Sequence, residues 1–218
     1  MLLQKHATTS AAAYPCEPRS RAVRDSLLVQ LRIFLQYVLQ SAQPDAIVAV
    51  LRAFVEVGAP EQAESWLRAE WIMPRMLPML EVAVSADEPL VALVDGVEKF
   101  LRSETCVPLL LPEVLALPLH VISNVVWIEL CRFITTHMEH MFGAGMPHIF
   151  QAAYVALADL QLQFEQLLPS AHERRFLRNH VATGELWRKF SLPIYFQLRM
   201  QVKIDRSAAV AITARVLC

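Results

Sequence analysis

Leu27, Leu31, Leu35 and Val38 return at steps of three and four residues, and this spacing recurs along most of the chain. A period near 3.6 residues places such side chains on one face of an α-helix, whereas a half-buried strand would need strict alternation. Leu28 and Phe34 widen this first stripe. Alternation is nearly absent, and there are only 5 glycines in 218 residues, so neither a sheet nor a glycine-rich phosphate cradle finds support. Proline supplies the punctuation. Gln43-Pro44-Asp45 breaks the first helix, and Gly58 with Pro60 stops the second, "DAIVAVLRAFVEVG". Pro60-Glu61 opens a third helix, in which Pro74 and Pro78 are expected to cause a kink or an end.

Further on, Leu119, Ile122, Val126, Leu130, Phe133 (or Ile134) and His137 track one side of a long helical segment that Gly143 and Gly145 terminate. Pro147 starts the next helix, with Phe150, Tyr154, Leu157, Gln161 and Phe164 on a common face, and Pro169-Ser170 closes it. "SAHERRFLRNH" and "TGELWRKFS" read as short helices, the second capped by Thr183. The expected fold class is all-α, an elongated stack of short helical bundles with roughly seven to nine helices. The expected divisions are a disordered leader (1–22), an N-terminal bundle (23–104), a proline-rich connector (105–118), a second bundle (119–202) and a divergent tail (203–218). A mitochondrial transit peptide is the alternative for the leader, which contains Ser, Thr and Arg and few acids.

The most apolar passage is Thr105 to Leu130. Its length would cross a bilayer, but Pro108, Pro112 and Pro118 interrupt it, and Glu113 and His120 lie inside. A connector feeding a buried helix is the preferred reading. A small integral membrane protein using 105–130 as its span is the alternative. The apolar share of 55% and mean hydropathy of +0.36 suit either a membrane protein or a helical piece that covers its surface with neighbours.

A formal net charge of -1 argues against a nucleic-acid partner. The charge is uneven: acids outnumber bases from Glu81 to Glu113, while Ala171 to Arg206 is basic. A solvated helix face explains such a run. A docking face for an acidic partner or an anionic membrane is the sharper alternative. Cys16, Cys106, Cys131 and Cys218 are scattered without a C-x-x-C pair, which favours a reduced setting, and with Cys218 as the last residue C-a-a-X prenylation is not expected.

No residue set volunteers for catalysis. His137 and His140 stand one turn apart, with His148 after the glycine break, but the spacing is not H-E-x-x-H and lacks a defined third ligand. The pairs Asp87/Glu88 and Glu61/Glu64 sit at helix starts, where the helix dipole accounts for them as solvent-facing carboxylates. Cys131 beside Arg132 reads as a core thiol. The expectation is therefore no enzyme, no cofactor and no metal.

Near the C-terminal end the chain reads "WRKFSLPIYFQLRMQ". Ser191 can cap a helix whose first turn takes Pro193, since proline there loses no hydrogen bond. Leu192, Ile194, Tyr195, Phe196 and Leu198 would cover most of that helix, with Arg199 at the water edge and Trp187 and Phe190 as partners on the preceding helix. The element is expected to lock two bundle layers together, with Phe196→Ala costing about 3–5 kcal/mol; direct contact with a vesicle protein is the alternative.

This "LPIYFQLR" element, preceded by the basic "FLRNH" helix, resembles the family of subunit 2 of the conserved oligomeric Golgi complex. "LRIFLQYVLQSAQPDAIVAVLRAFVEVGAPEQAESWLRAEWIMPRML" and "VISNVVWIELCRFITTHMEHMFGAGMPHIFQAAYVALADLQLQFEQLL" resemble passages of the same family in the same order, so the likeness runs from Leu27 to Gln201. The resemblance implies a tethering protein built of helical rods, with no active site and no cofactor. It also implies assembly with the other subunits of that complex, contact with vesicle tethering and fusion proteins, and peripheral attachment to the cytosolic face of Golgi membranes in retrograde traffic. Two departures stand out: the family's N-terminal coiled coil is not found, and "VKIDRSAAVAITARVLC" runs quickly to a stop. A shortened form is the expectation.

Overall fold

The computed structural model describes residues 18–201. Among these, the regular structure is helical throughout. Helix α1 (Pro18–Gln40) starts inside the stretch assigned to the leader, with proline in its first position. Residues 1–17 and the tail at 203–218, with Cys16 and Cys218, lie outside the described residues. The inner face of α1 is Leu28, Leu35, Val38 and Leu39. Leu27 and Phe34, expected on the buried stripe, are exposed instead. The stripe is rotated because α1 packs mainly on α2 (Pro44–Glu56). Gly58, at φ +72, takes the left-handed turn after α2 that a side chain would resist. Its carbonyl accepts a hydrogen bond from Arg24 at 2.8 Å, pinning the hairpin.

Helix α3 (Pro60–Trp66) widens into a π-helical turn, Leu67–Ile72, and continues as α4 (Met73–Val84). Pro74 and Pro78 therefore do not end the helix. Pro74 lacks the N–H that would bind the Glu70 carbonyl, and the π turn lies directly upstream, where the bond pattern is already shifted. Arg75 Nη1 reaches the Trp71 carbonyl at 2.9 Å and the Glu70 carbonyl at 3.5 Å, and its guanidinium lies 3.7 Å over the Trp71 ring. Helix α5 (Pro89–Leu101) returns against α4 at close range, because a methyl group on Gly96 would run into Met79.

The proline-rich passage turns the chain through a short 3₁₀ segment, Val107–Leu110, and helix α6 (Pro112–Leu115). It buries Cys106, Leu109 and Val114, so it contributes to the core. A second π turn, Val121–Trp127, leads into α7 (Ile128–His137), a 3₁₀ turn at Glu139–Phe142 and α8 (Pro147–Leu167). Among the described residues no helix is long and apolar enough to cross a membrane, and 105–130 is divided among several short segments. The alternative span in that stretch is therefore not what the chain forms.

Helices α9 (Ala171–Asn179) and α10 (Val181–Lys189) follow, and residues 192–201 are again helical. Ser170 caps α9, its Oγ accepting the Glu173 N–H at 3.1 Å. Thr183 does not cap α10; that position belongs to His180, whose Nδ1 accepts the Ala182 N–H at 3.1 Å. Thr183 is buried inside the helix, and its hydroxyl donates to the Leu177 carbonyl at 2.7 Å.

Candidate interaction surface

The helix at 192–201 is the element singled out by its sequence. Ser191 starts it, with its carbonyl accepting the Tyr195 N–H at 3.1 Å. One large side chain on this helix goes inward, and it is Tyr195. Its ring stacks on Phe150 at 4.8 Å, and its hydroxyl donates to Gln151 Oε1 at 3.1 Å. Around Phe150 stand Phe142, Tyr154, Trp187 and Phe190, joined by edge-to-face contacts such as Phe150–Phe190 at 5.2 Å and Tyr154–Trp187 at 5.1 Å. Edge-to-face pairing sets the positive rim of one ring against the negative face of the next. The expected partners Trp187 and Phe190 are thus in the seat of this helix, and Leu192 packs at its edge.

The burial expected of Phe196 is corrected. Phe196 is 60% exposed and Ile194 51%, whereas Tyr195 is 8% exposed. With apolar residues nearly all round this helix, the periodicity could not say which would face in. The position is set by the ring of Phe150, 45 residues away in sequence. Pro193 and Arg199 are exposed, and the Arg199 guanidinium lies 5.8 Å from the Tyr195 ring centroid. Leu198 and Met200 complete an open apolar surface. The outer side of α1, with Val23, Leu27, Ile33, Phe34 and Tyr37, is a second such surface.

Two buried carboxylates stiffen the frame beneath. Glu165 is 3% exposed and receives Gln161 Nε2 at 2.8 Å and both arms of the Arg178 guanidinium, Nε at 2.7 Å. The Arg178 hydrogen bond holds the Glu165 carboxyl below its ordinary range, against the opposing effect of burial. Gln161 in turn accepts the Trp187 indole N–H at 2.7 Å, so this clamp reaches the aromatic seat. Glu64, expected at the solvent, is buried instead. Its two oxygens accept the His120 backbone N–H at 2.6 Å and Asn124 Nδ2 at 2.8 Å, which caps the second π turn from the first half of the chain. Arg68 donates to the Asn124 carbonyl at 2.7 Å. The sequence signals for these groups were faint: Gln161 and Glu165, like Glu64 and Arg68, are one turn apart.

The side chains considered for chemistry are dispersed. His137 packs on Phe133 at 4.6 Å, while His140 and His148 border an open apolar groove with Glu88 and Val91. Among the described residues no group of three His, Cys, Asp or Glu could hold a metal. Burial pushes the Cys106 thiol up to about 12 and raises Cys131 further, so neither supplies a thiolate near neutrality.

His180 is held below its ordinary value of 6.5, first by burial, then by Arg132 and Arg68, with Glu185 opposing. The native state thus takes up this proton less readily than the unfolded chain. Stability from His180 is full above the unfolded value and falls as pH drops from there toward the folded one. The melting temperature should fall as the pH is lowered through the ordinary value of 6.5, and His180→Asn, which can still cap α10, should flatten that decline. Thermal melts across that value, followed by circular dichroism, check this. Loss of the Glu165 contribution belongs to a separate window, below its ordinary value of 4.5.

These features define a packing element: a helix anchored by one ring, with open apolar side chains around it. Curated proteins similar to the chain include two of the same name. Subunit 2 of the conserved oligomeric Golgi complex from Drosophila melanogaster is 24% identical over 194 residues, covering 82% of this chain and 26% of that protein. The Homo sapiens protein of the same name is 29% identical over 90 residues, covering 41% of this chain and 12% of its own length. The resemblance read from the motifs is borne out, and the chain spans about a quarter of the Drosophila protein. No family model matches the chain. No solved structure matches it.

Proposed function

We propose that this chain is a non-enzymatic scaffold element of a multisubunit vesicle-tethering complex at the Golgi. In this reading it assembles with sister subunits of the conserved oligomeric Golgi complex, meets vesicle tethering and fusion proteins, and serves intra-Golgi retrograde transport. It attaches peripherally to the cytosolic face of the membrane and needs no cofactor. The observation that carries the reading is the similarity to two curated subunits over a chain whose conspicuous motif forms an anchored, outward-facing helix. Exposed apolar side chains such as Ile194, Phe196 and Met200 suit the buried centre of a protein–protein contact, where a few large side chains dominate the energy. The division into bundles at 23–104 and 119–202 is part of the same proposal.

Affinity purification of the tagged chain from cells tests the assignment. Sister subunits of the Golgi complex should co-purify. Phe196→Glu with Met200→Glu should reduce their recovery about tenfold or more while leaving the melting temperature within about 2 °C, because both positions are open. A stable, folded protein that brings down none of those subunits would refute the reading. Release by alkaline carbonate is expected for peripheral attachment.

A further inference from the structure

The junction of α9 and α10 holds an open depression of about 350 Å³ lined by His172, Arg175, Phe176, Asn179, His180 and Val181. Its construction follows from helical spacing: His172, Arg175, Phe176 and Asn179 lie at i, i+3, i+4 and i+7 on one face of α9. Phe176 forms the floor and is immobilised by the His120 ring, stacked on it at 4.0 Å and within 10° of parallel. His120 is itself fixed through Nδ1 to Glu173 at 2.8 Å.

The polar groups around this floor are donors. His180 Nδ1 already accepts the Ala182 N–H, so the neutral ring carries its proton on Nε2, and His180 lines the depression. Arg175 has no carboxylate within ion-pair distance among the described residues. The nearby acids are engaged elsewhere, Glu173 by His120 and Glu165 by Arg178. Arg132 and Arg68 add positive potential at His180, and Glu185 is the opposing charge. Val181, 67% exposed, stands at the rim.

We propose that this depression binds a phosphomonoester group, presented by a phosphoinositide headgroup at a membrane surface. A guanidinium fork pairs bidentately with phosphate oxygens, and the imidazole N–H and Asn179 amide supply further donors on the same side. The volume is of headgroup size. An exposed apolar side chain beside cations is what a lipid–water boundary accommodates, which favours lipid as the source of the phosphate. The site concerns a small charged ligand and needs no partner subunit, so its failure leaves the co-purification result untouched.

The purified full chain is floated with phosphatidylcholine vesicles carrying phosphatidylinositol monophosphate, and with vesicles carrying phosphatidylserine at matched charge. Binding to the phosphoinositide vesicles should exceed the phosphatidylserine control about tenfold. Arg175→Glu should abolish it, and Arg175→Lys, which keeps charge but loses the fork, should restore only part. Soluble inositol bisphosphate should compete and should raise the His180 titration midpoint measured by NMR. Equal flotation on both vesicle types, or unchanged binding by a folded Arg175→Glu protein, overturns the proposal. Binding of the soluble compound without flotation keeps the phosphate site and overturns its membrane source.

Discussion

Trp127→Ala should lower the stability of the chain by about 3–5 kcal/mol, the usual cost of removing a large buried aromatic. Trp127 has no exposure and closes the second π turn, where its ring lies 5.0 Å from Phe164 in a tilted pair. Its indole N–H donates to Thr183 Oγ1 at 2.8 Å, so the same side chain ties the π turn to α8 and α10. Truncation leaves a cavity that three elements share, and none of them can close it alone. For a chain of this length the loss corresponds to a melting temperature lower by roughly 6–20 °C. Trp127→Phe separates the two contributions: it keeps most of the ring volume and forfeits the hydrogen bond, for about 1–2 kcal/mol. Differential scanning calorimetry of both variants measures this. Near-equal values would show that the hydrogen bond, not the filled volume, carries the effect.

Phe150→Ala should cost a similar amount, about 3–5 kcal/mol, and should also release the helix at 192–201. Phe150 is fully buried at the head of α8, with Phe190 set edge-on and Tyr195 stacked against it. Tyr195 is the single buried residue among 193–201, so that helix has few other contacts holding it. Hydrogen exchange should show faster exchange of the amides at 195–201 in the variant, well beyond any change in α7. Tyr195→Ala should reproduce the local release with a smaller global loss. Phe196→Ala should do neither and stay within about 0.5 kcal/mol of the parent, since its ring is already in water.

The helices were legible because the 3.6-residue period is a property of each segment alone. The prolines at 44, 60, 89, 112 and 147 lie in the first turns of their helices, where a fixed φ and a missing N–H cost nothing. The inward side of each helix was harder to read wherever apolar residues run all the way round. On α1 Leu27 and Phe34 drop out of the expected face while Leu28 stays and Leu39 joins it, and at the C-terminal helix Phe196 drops out while Tyr195 stays. In both cases the selection is made by a packing partner, not by the local pattern. The π turns were invisible for a related reason. An extra residue in a helical turn leaves no compositional mark, and the groups that accommodate it, Glu64, Arg68 and Arg75, look like ordinary surface charges in the sequence. The ion pair between buried Glu165 and exposed Arg178 was hidden because its members sit on different helices.

The two interior thiols offer a clock for breathing motions. Cys106 and Cys131 are sealed in the core, and their raised affinity for the proton keeps them unreactive toward alkylating reagents while the chain stays closed. With Cys16 and Cys218 replaced by serine, the rate of alkylation at each site would report how often the surrounding packing opens. Cys106 would time the turn at 105–118, and Cys131 the interior of α7.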